Sequence, residues 1–184
     1  MSVSVLLFTL FVLATGIERI VELVISKRNA SWAFARGGIE SNRWQMPWLI
    51  TLHTGLLVGA VAEVVLLGRP FLPWLGWPML VVALACQVGR YSVIGLLGRQ
   101  WNTRVIVVPG LPLVRRGLYR WEWMRHPNYL IVAIEGVALP LVHTAWITAI
   151  AFTMLNAILL LGFRIPAENR ALAGAAEIGT GIQT

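Results

Sequence analysis

Aspartate is absent from this sequence, lysine occurs once, and only 12% of the residues are charged. A soluble domain carries about 25% charged residues, so a water-exposed globular protein is excluded. Cysteine also occurs once, as Cys86 in an apolar run. That excludes an internal disulfide, and Cys86 reads as a small buried apolar residue. The three histidines, His53, His126 and His143, fall in separate segments with no HxxxH or HxxE spacing. With no second cysteine, a metal centre is not expected. There is no phosphate-binding loop, no GxGxxG turn and no nucleophile elbow. Internal repeats and low-complexity tracts are missing too.

What fills the chain instead is hydrophobic sequence: 58% of the residues, with a mean hydropathy of +0.74. Apolar runs cover about 3–26, 46–67, 72–97, 127–142 and 145–163. The first three are long enough to cross ~30 Å of hydrocarbon at ~1.5 Å per residue. The last two are shorter and are separated by Pro140 and His143, as in a tight helical hairpin. The first run has no basic start and no small-residue cleavage site, so a retained span is expected rather than a signal peptide. The fold expected is an all-α integral membrane protein of five transmembrane helices, residues 1–184 forming one membrane domain.

The net charge of +7 gains meaning from its location. Lys27, Arg28, Arg36 and Arg43 lie in the first loop. Arg99, Arg104, Arg115, Arg116, Arg120 and Arg125 lie in the third, and Arg164 and Arg170 follow the last run. Together these are twelve of the fifteen basic residues. Five spans with the N-terminus outside put all twelve on the cytoplasmic side. The expected location is a cytoplasmic membrane, and the basic residues are assigned to orientation rather than to nucleic acid.

The loop at 98–126 admits a short surface β-hairpin. Trp101 to Val108 is β-branched, Pro109-Gly110 reads as a turn, and Leu111 to Tyr119 would return. A surface helix over about 166–178 is expected in the tail, with Pro166 in its first turn. Gly55-xxx-Gly59 suits a close helix contact.

Polar residues inside apolar runs are expensive and tend to be paired or functional. Glu18, Arg19, Glu22, His53 and Glu63 are read as pairing with one another to hold the bundle together. For Arg90, Tyr91 and Glu135, closer to the third loop, a structural and a site role both stand open.

The densest polar cluster is Arg125-His126-Pro127-Asn128-Tyr129, at the mouth of the fourth run. Proline keeps His126 out of helical geometry and starts a helix itself. The side chains of Arg125 and His126 then project beside free N–H groups, where an anion is favoured. Snorkelling to the interface would explain one such residue, but not the whole cluster.

Gly117-Leu-Tyr119, this pentapeptide, the short hairpin and Arg164-Ile-Pro-Ala-Glu168 resemble the isoprenylcysteine carboxyl methyltransferase family. Parts of the pattern are shared with phospholipid methyltransferases and some sterol reductases. The resemblance covers about 90–172, and the segment from Glu22 to Glu40 is similar to a bacterial branch. It implies a methyltransferase that uses S-adenosylmethionine, releases S-adenosylhomocysteine and needs no metal. The cofactor would occupy a cytoplasmic pocket, and a lipophilic acceptor would enter from the surrounding membrane lipids between helices.

Carried over by position, the resemblance implies that His126 and Tyr129 contact the cofactor while Pro127 shapes the loop. Gly117 and Tyr119 would line the same pocket, and the cofactor's carboxylate would suit Arg125 or His126. Glu135 is grouped with this cofactor set. Arg164 and Glu168 are the candidate catalytic pair. Glu168 matches the first of two family carboxylates, but the second is Asn169 here. Arg90, Tyr91 and Asn156 are candidates to face the substrate. Methyl transfer needs alignment and exclusion of water, and a carboxylate or acidic enol needs no strong base. The alternatives are a nicotinamide-dependent reductase of the sterol type and a non-enzymatic transport or assembly subunit.

Overall fold

A computed structural model describes residues 2–112, 114, 117–120 and 126–171. The apolar runs are helices: α1 (Val3–Phe34), α2 (Gln45–Leu66), α3 (Pro73–Leu97), α4 (Pro127–Leu141) and α5 (Trp146–Leu159). Their starts follow from local chemistry. Ser2 caps α1 by accepting from the Val5 N–H. Proline opens α3 and α4, where its missing N–H costs nothing.

Four helical stretches are long and apolar enough to cross a membrane, Val3–Phe34, Gln45–Leu66, Pro73–Gln100 and Trp146–Ala171. Their outward faces carry large apolar side chains such as Leu13, Ile17, Val58, Val81, Val88, Ile150 and Leu161, each more than half exposed. Water would make such a surface aggregate, while hydrocarbon solvates it. The chain is an integral membrane protein.

At one end, Phe8, Val12, Ala60, Val64, Leu139, Val142 and Ala145 form the main apolar cluster. The same end carries a cap made across helices. The backbone N–H groups of Ile147 and Thr148 donate to the Glu63 carboxylate at 3.1 and 2.8 Å, and Arg69 pairs with Glu63 at 2.8 Å. Ala145, at the N-cap position of α5, provides no cap, so a side chain of α2 satisfies the first turn instead. Further along, α4 and α5 close up because Gly136 has no side chain. A Cβ there would lie 2.0 Å from the Phe152 ring.

The opposite end gathers the loops. β1 (Ile39–Ser41), from the α1–α2 loop, pairs antiparallel with β2 (Val105–Val107), from the loop after α3. Ile39 faces Val107 and Ser41 faces Val105. This corrects the expected hairpin within 98–126. The β-branched strand forms, but its partner comes from the first loop. Among the described residues of 111–120 there is no return strand, and Gly117–Arg120 is a 3-10 turn. Arg104 adds an ion pair to Glu40 at 3.5 Å across the two strands.

The tail also differs from expectation. No new helix starts at Pro166. α5 instead passes through a π turn at Leu160–Arg164 and continues to Ala171. The wide turn leaves backbone slack just where a proline would otherwise collide with the preceding carbonyl. The rest of the expected tail helix lies outside the described residues.

Helix α4 spans only about 22 Å with its 15 residues. Ile131 sits beside Gly89 of α3, 3.2 Å from the position of a Cβ there. Helix α3 therefore runs past the start of α4 by about a turn. The short helix leaves a recess at the loop end, and α4 begins at its floor.

Candidate active site

The recess is a cavity of about 760 Å³, bounded by the end of α1, the segment 97–108, the turn at 119–120, the start of α4 and the continuation of α5. That volume falls within the usual range for small-molecule sites. His126, Asn128, Tyr129, Arg164, Glu168 and Asn169 all line it.

Pro127 sits at the first position of α4, and His126 before it has φ −126° and ψ 61°, outside helical geometry as the following proline requires. His126 therefore leaves the helix axis and its ring stacks on Tyr129, with centroids 5.3 Å apart. The Tyr129 hydroxyl donates to Glu168 Oε2 at 2.5 Å, and His126 Nδ1 lies 3.5 Å from Oε1. The Arg164 guanidinium lies over the Tyr129 ring at 5.7 Å and donates to the Thr103 carbonyl at 2.9 Å. One turn of α4 is thus joined to the tail of α5 at the Glu168 carboxylate, and the loop after α3 is joined to the same tail through Arg164.

Tyr119 also lines the pocket. Burial, and then the neighbouring Glu168 carboxylate, push its phenol above the ordinary range, so it remains an O–H donor at neutral pH. Gly117 does not line the cavity. Its φ of +59° turns the chain into the 3-10 segment, and a Cβ would stand 2.6 Å from Leu96. Its contribution is to place Tyr119. Pro127 likewise acts through the backbone. Arg125 lies outside the described residues.

The other sequence candidates separate from this group. Glu135 lies six residues along α4 from Tyr129, about 9 Å deeper, in a buried ion network. It accepts from Gln87 at 2.9 Å and from Arg19 at 3.0 Å, and is also paired with Arg90. Arg19 holds Glu22 at 2.9 Å, so two arginines and two glutamates balance across α1, α3 and α4. Glu63 belongs to the far end. Tyr91 is 44% exposed on the outer face of α3 and lines no described cavity.

Arg90 and Asn156 line a second cavity, an apolar groove of about 850 Å³ between α1 and α2. Trp101, Asn128, Tyr129 and Arg164 line both the groove and the polar pocket. At this shared wall the Trp101 Nε1–H, the Asn128 Oδ1 and the Arg164 Nε–H are buried without a protein partner. Trp101 was not among the sequence candidates. It reads as an ordinary loop aromatic until Asn29 pins its carbonyl at 2.7 Å and the loop closes over the recess.

A helical membrane bundle with a loop-end pocket that shares a wall with an apolar groove is the class these features define. The family model described as isoprenylcysteine carboxyl methyltransferase (ICMT) family matches residues 79–174. The chain is also 36% identical over 167 residues to the uncharacterized protein YpbQ of Bacillus subtilis (strain 168), covering 90% of this chain and 96% of that protein. No solved structure matches. The chain belongs to the isoprenylcysteine carboxyl methyltransferase family, which implies a membrane methyltransferase.

Proposed function

We propose that this protein is an S-adenosylmethionine-dependent O-methyltransferase for a lipophilic acceptor, with pocket and C-terminus on the cytoplasmic side. The observation that carries the reading is the shared wall, where a polar pocket and an apolar groove meet at Trp101, Asn128, Tyr129 and Arg164. A water-soluble methyl donor and a bilayer-soluble acceptor need such a junction.

The residues present fit the cofactor. Its chemistry when bound is a methyl group carried on a positively charged sulfur. Arg99 and Gln100 line the pocket and would take its carboxylate. Glu168 would hold its cationic groups, being fixed by Tyr129 and His126 rather than paired with a strong base. The Tyr119 ring offers a flat apolar face for the adenine.

The acceptor oxygen would be held at the wall, where the Arg164 Nε–H and Trp101 Nε1–H need an acceptor. A carboxylate or acidic enol arrives already ionised, so Arg164 orients it and no residue has to remove a proton. Walls from β2, Trp32 and Leu97 keep water away from the reacting atoms. Glu168 with Arg164 replaces a two-carboxylate arrangement, and Asn169 remains a neutral neighbour.

The test is calorimetric titration of detergent-purified protein with S-adenosylmethionine, S-adenosylhomocysteine and NADPH. Binding of the first two is expected. Binding of NADPH alone would overturn the reading in favour of a reductase.

A further inference from the structure

Some of the polar side chains lining the α1–α2 groove are paired with one another. Arg19, Glu22 and Arg90 balance within the ion network. Two others are not. Asn156 is 2% exposed, and its Oδ1 has no partner. His53 donates its Nδ1–H to the Leu49 carbonyl at 2.9 Å. A carbonyl can only accept, so Nε2 bears the lone pair and remains a hydrogen-bond acceptor.

These two residues stand close to one level of the groove. The His53 ring packs edge-on against Phe152 with centroids 5.6 Å apart, and Asn156 follows Phe152 by one turn of α5. Both line the groove. A buried polar group left unmet costs about 1–3 kcal/mol, and hydrocarbon supplies no water to meet it. Leucine or phenylalanine would serve packing without that cost.

Their depth indicates what they meet. Asn156 lies eight residues before Arg164, about 12 Å along the helix. Beyond it the groove is aliphatic, walled by Leu13, Ile17, Val58, Val61 and Val65. A ligand reaching down from Arg164 therefore passes a polar level before an apolar stretch.

We propose that the methyl acceptor is a long-chain oxygen acid bearing a hydroxyl part-way along its chain, and that Asn156 and His53 recognise that hydroxyl. The hydroxyl donates to Asn156 Oδ1 or His53 Nε2, while the aliphatic remainder fills the groove below. A plain saturated chain leaves the buried Asn156 Oδ1 unmet and offers the half-buried His53 Nε2 no donor. The direction of the ligand, acid end at Arg164, rests on the methyltransferase reading.

The probes are octadecanoic acid and 10-hydroxyoctadecanoic acid, titrated without cofactor against the full-length protein in lipid nanodiscs. The hydroxylated acid is expected to bind about tenfold more tightly, the equivalent of one net hydrogen bond. Asn156→Leu should abolish that advantage and His53→Phe should reduce it. Both variants should elute as monodisperse protein and unfold near the wild-type temperature, a check that they fold. Equal affinity of the wild type for the two acids, no binding of either, or an advantage that survives in both variants overturns the inference. S-adenosylmethionine is titrated separately. Failure there with the hydroxyl preference intact removes the methyltransferase reading and leaves the recognition of a hydroxylated long-chain acid standing.

Discussion

Tyr129 and Glu168 are thirty-nine residues apart in sequence and joined by a 2.5 Å hydrogen bond from the phenol to the carboxylate. That bond links the first turn of α4 to the helix continuing from α5, and it aims the one described carboxylate of the pocket. Tyr129→Phe keeps the ring stacked on His126 but releases Glu168. A hydrogen bond to a charged group is worth about 1.5–3 kcal/mol. Tm in detergent should therefore fall, and S-adenosylmethionine affinity of the folded fraction should fall by up to roughly 10- to 100-fold by calorimetry as Glu168 loses its aim. Unchanged affinity would mean that Glu168 does not face the cofactor.

Glu135 balances Arg19 and Arg90 in the bundle interior. Glu135→Leu would leave both guanidinium groups undercompensated, at a cost of about 3–5 kcal/mol. The expected result is poor recovery of monodisperse protein and a clear drop in Tm in detergent. Glu135→Gln, which keeps hydrogen bonds but not charge, should be intermediate.

At the other end, Glu63 substitutes for an N-cap on α5. Glu63→Ala should cost about 1–2 kcal/mol, as capping losses do. Thermal unfolding in detergent would register this. Cofactor affinity of the folded fraction should be unaffected, because Glu63 lies at the end opposite the pocket.

Gly136→Ala places a methyl where the Phe152 ring now lies. Helix propensity alone would favour alanine. Overpacking costs about 1–3 kcal/mol and should win. A lower Tm is expected, and a raised Tm would show that α4 and α5 are less tightly apposed.

Orientation can be read with single cysteines in a Cys86→Ala background. Arg43 lies at the loop end and Leu67 at the opposite end, and both are exposed. Arg43→Cys should react with a membrane-impermeant maleimide only after the cells are opened, and Leu67→Cys in intact cells. The reverse pattern would invert the assigned topology.

Much of the architecture was legible because it depends on composition. Long apolar runs with few charges become helices in hydrocarbon, where every backbone group must be satisfied within its own segment. Proline before a helical run predicts where α4 starts and which way His126 leaves it. The cluster at 126–129 stood out because polar groups beside lipid are costly. Strand pairing was not legible. The β-branched run after Trp101 announces a strand but not its partner, and the partner lies more than sixty residues earlier.

By itself, then, the sequence determined a membrane bundle, its helical segments, its family and the motif around His126. These follow from local and compositional forces. Only the tertiary structure decided that Tyr129 bonds Glu168 while Arg164 lies over the Tyr129 ring, that Glu135 joins an ion network below the pocket, and that Trp101 and Arg164 border both cavities. Those outcomes depend on how far each helix reaches past its neighbour, which hydropathy leaves undetermined. A helix about 22 Å long beside longer ones creates the recess, and the depth of that recess selects which polar residues face it.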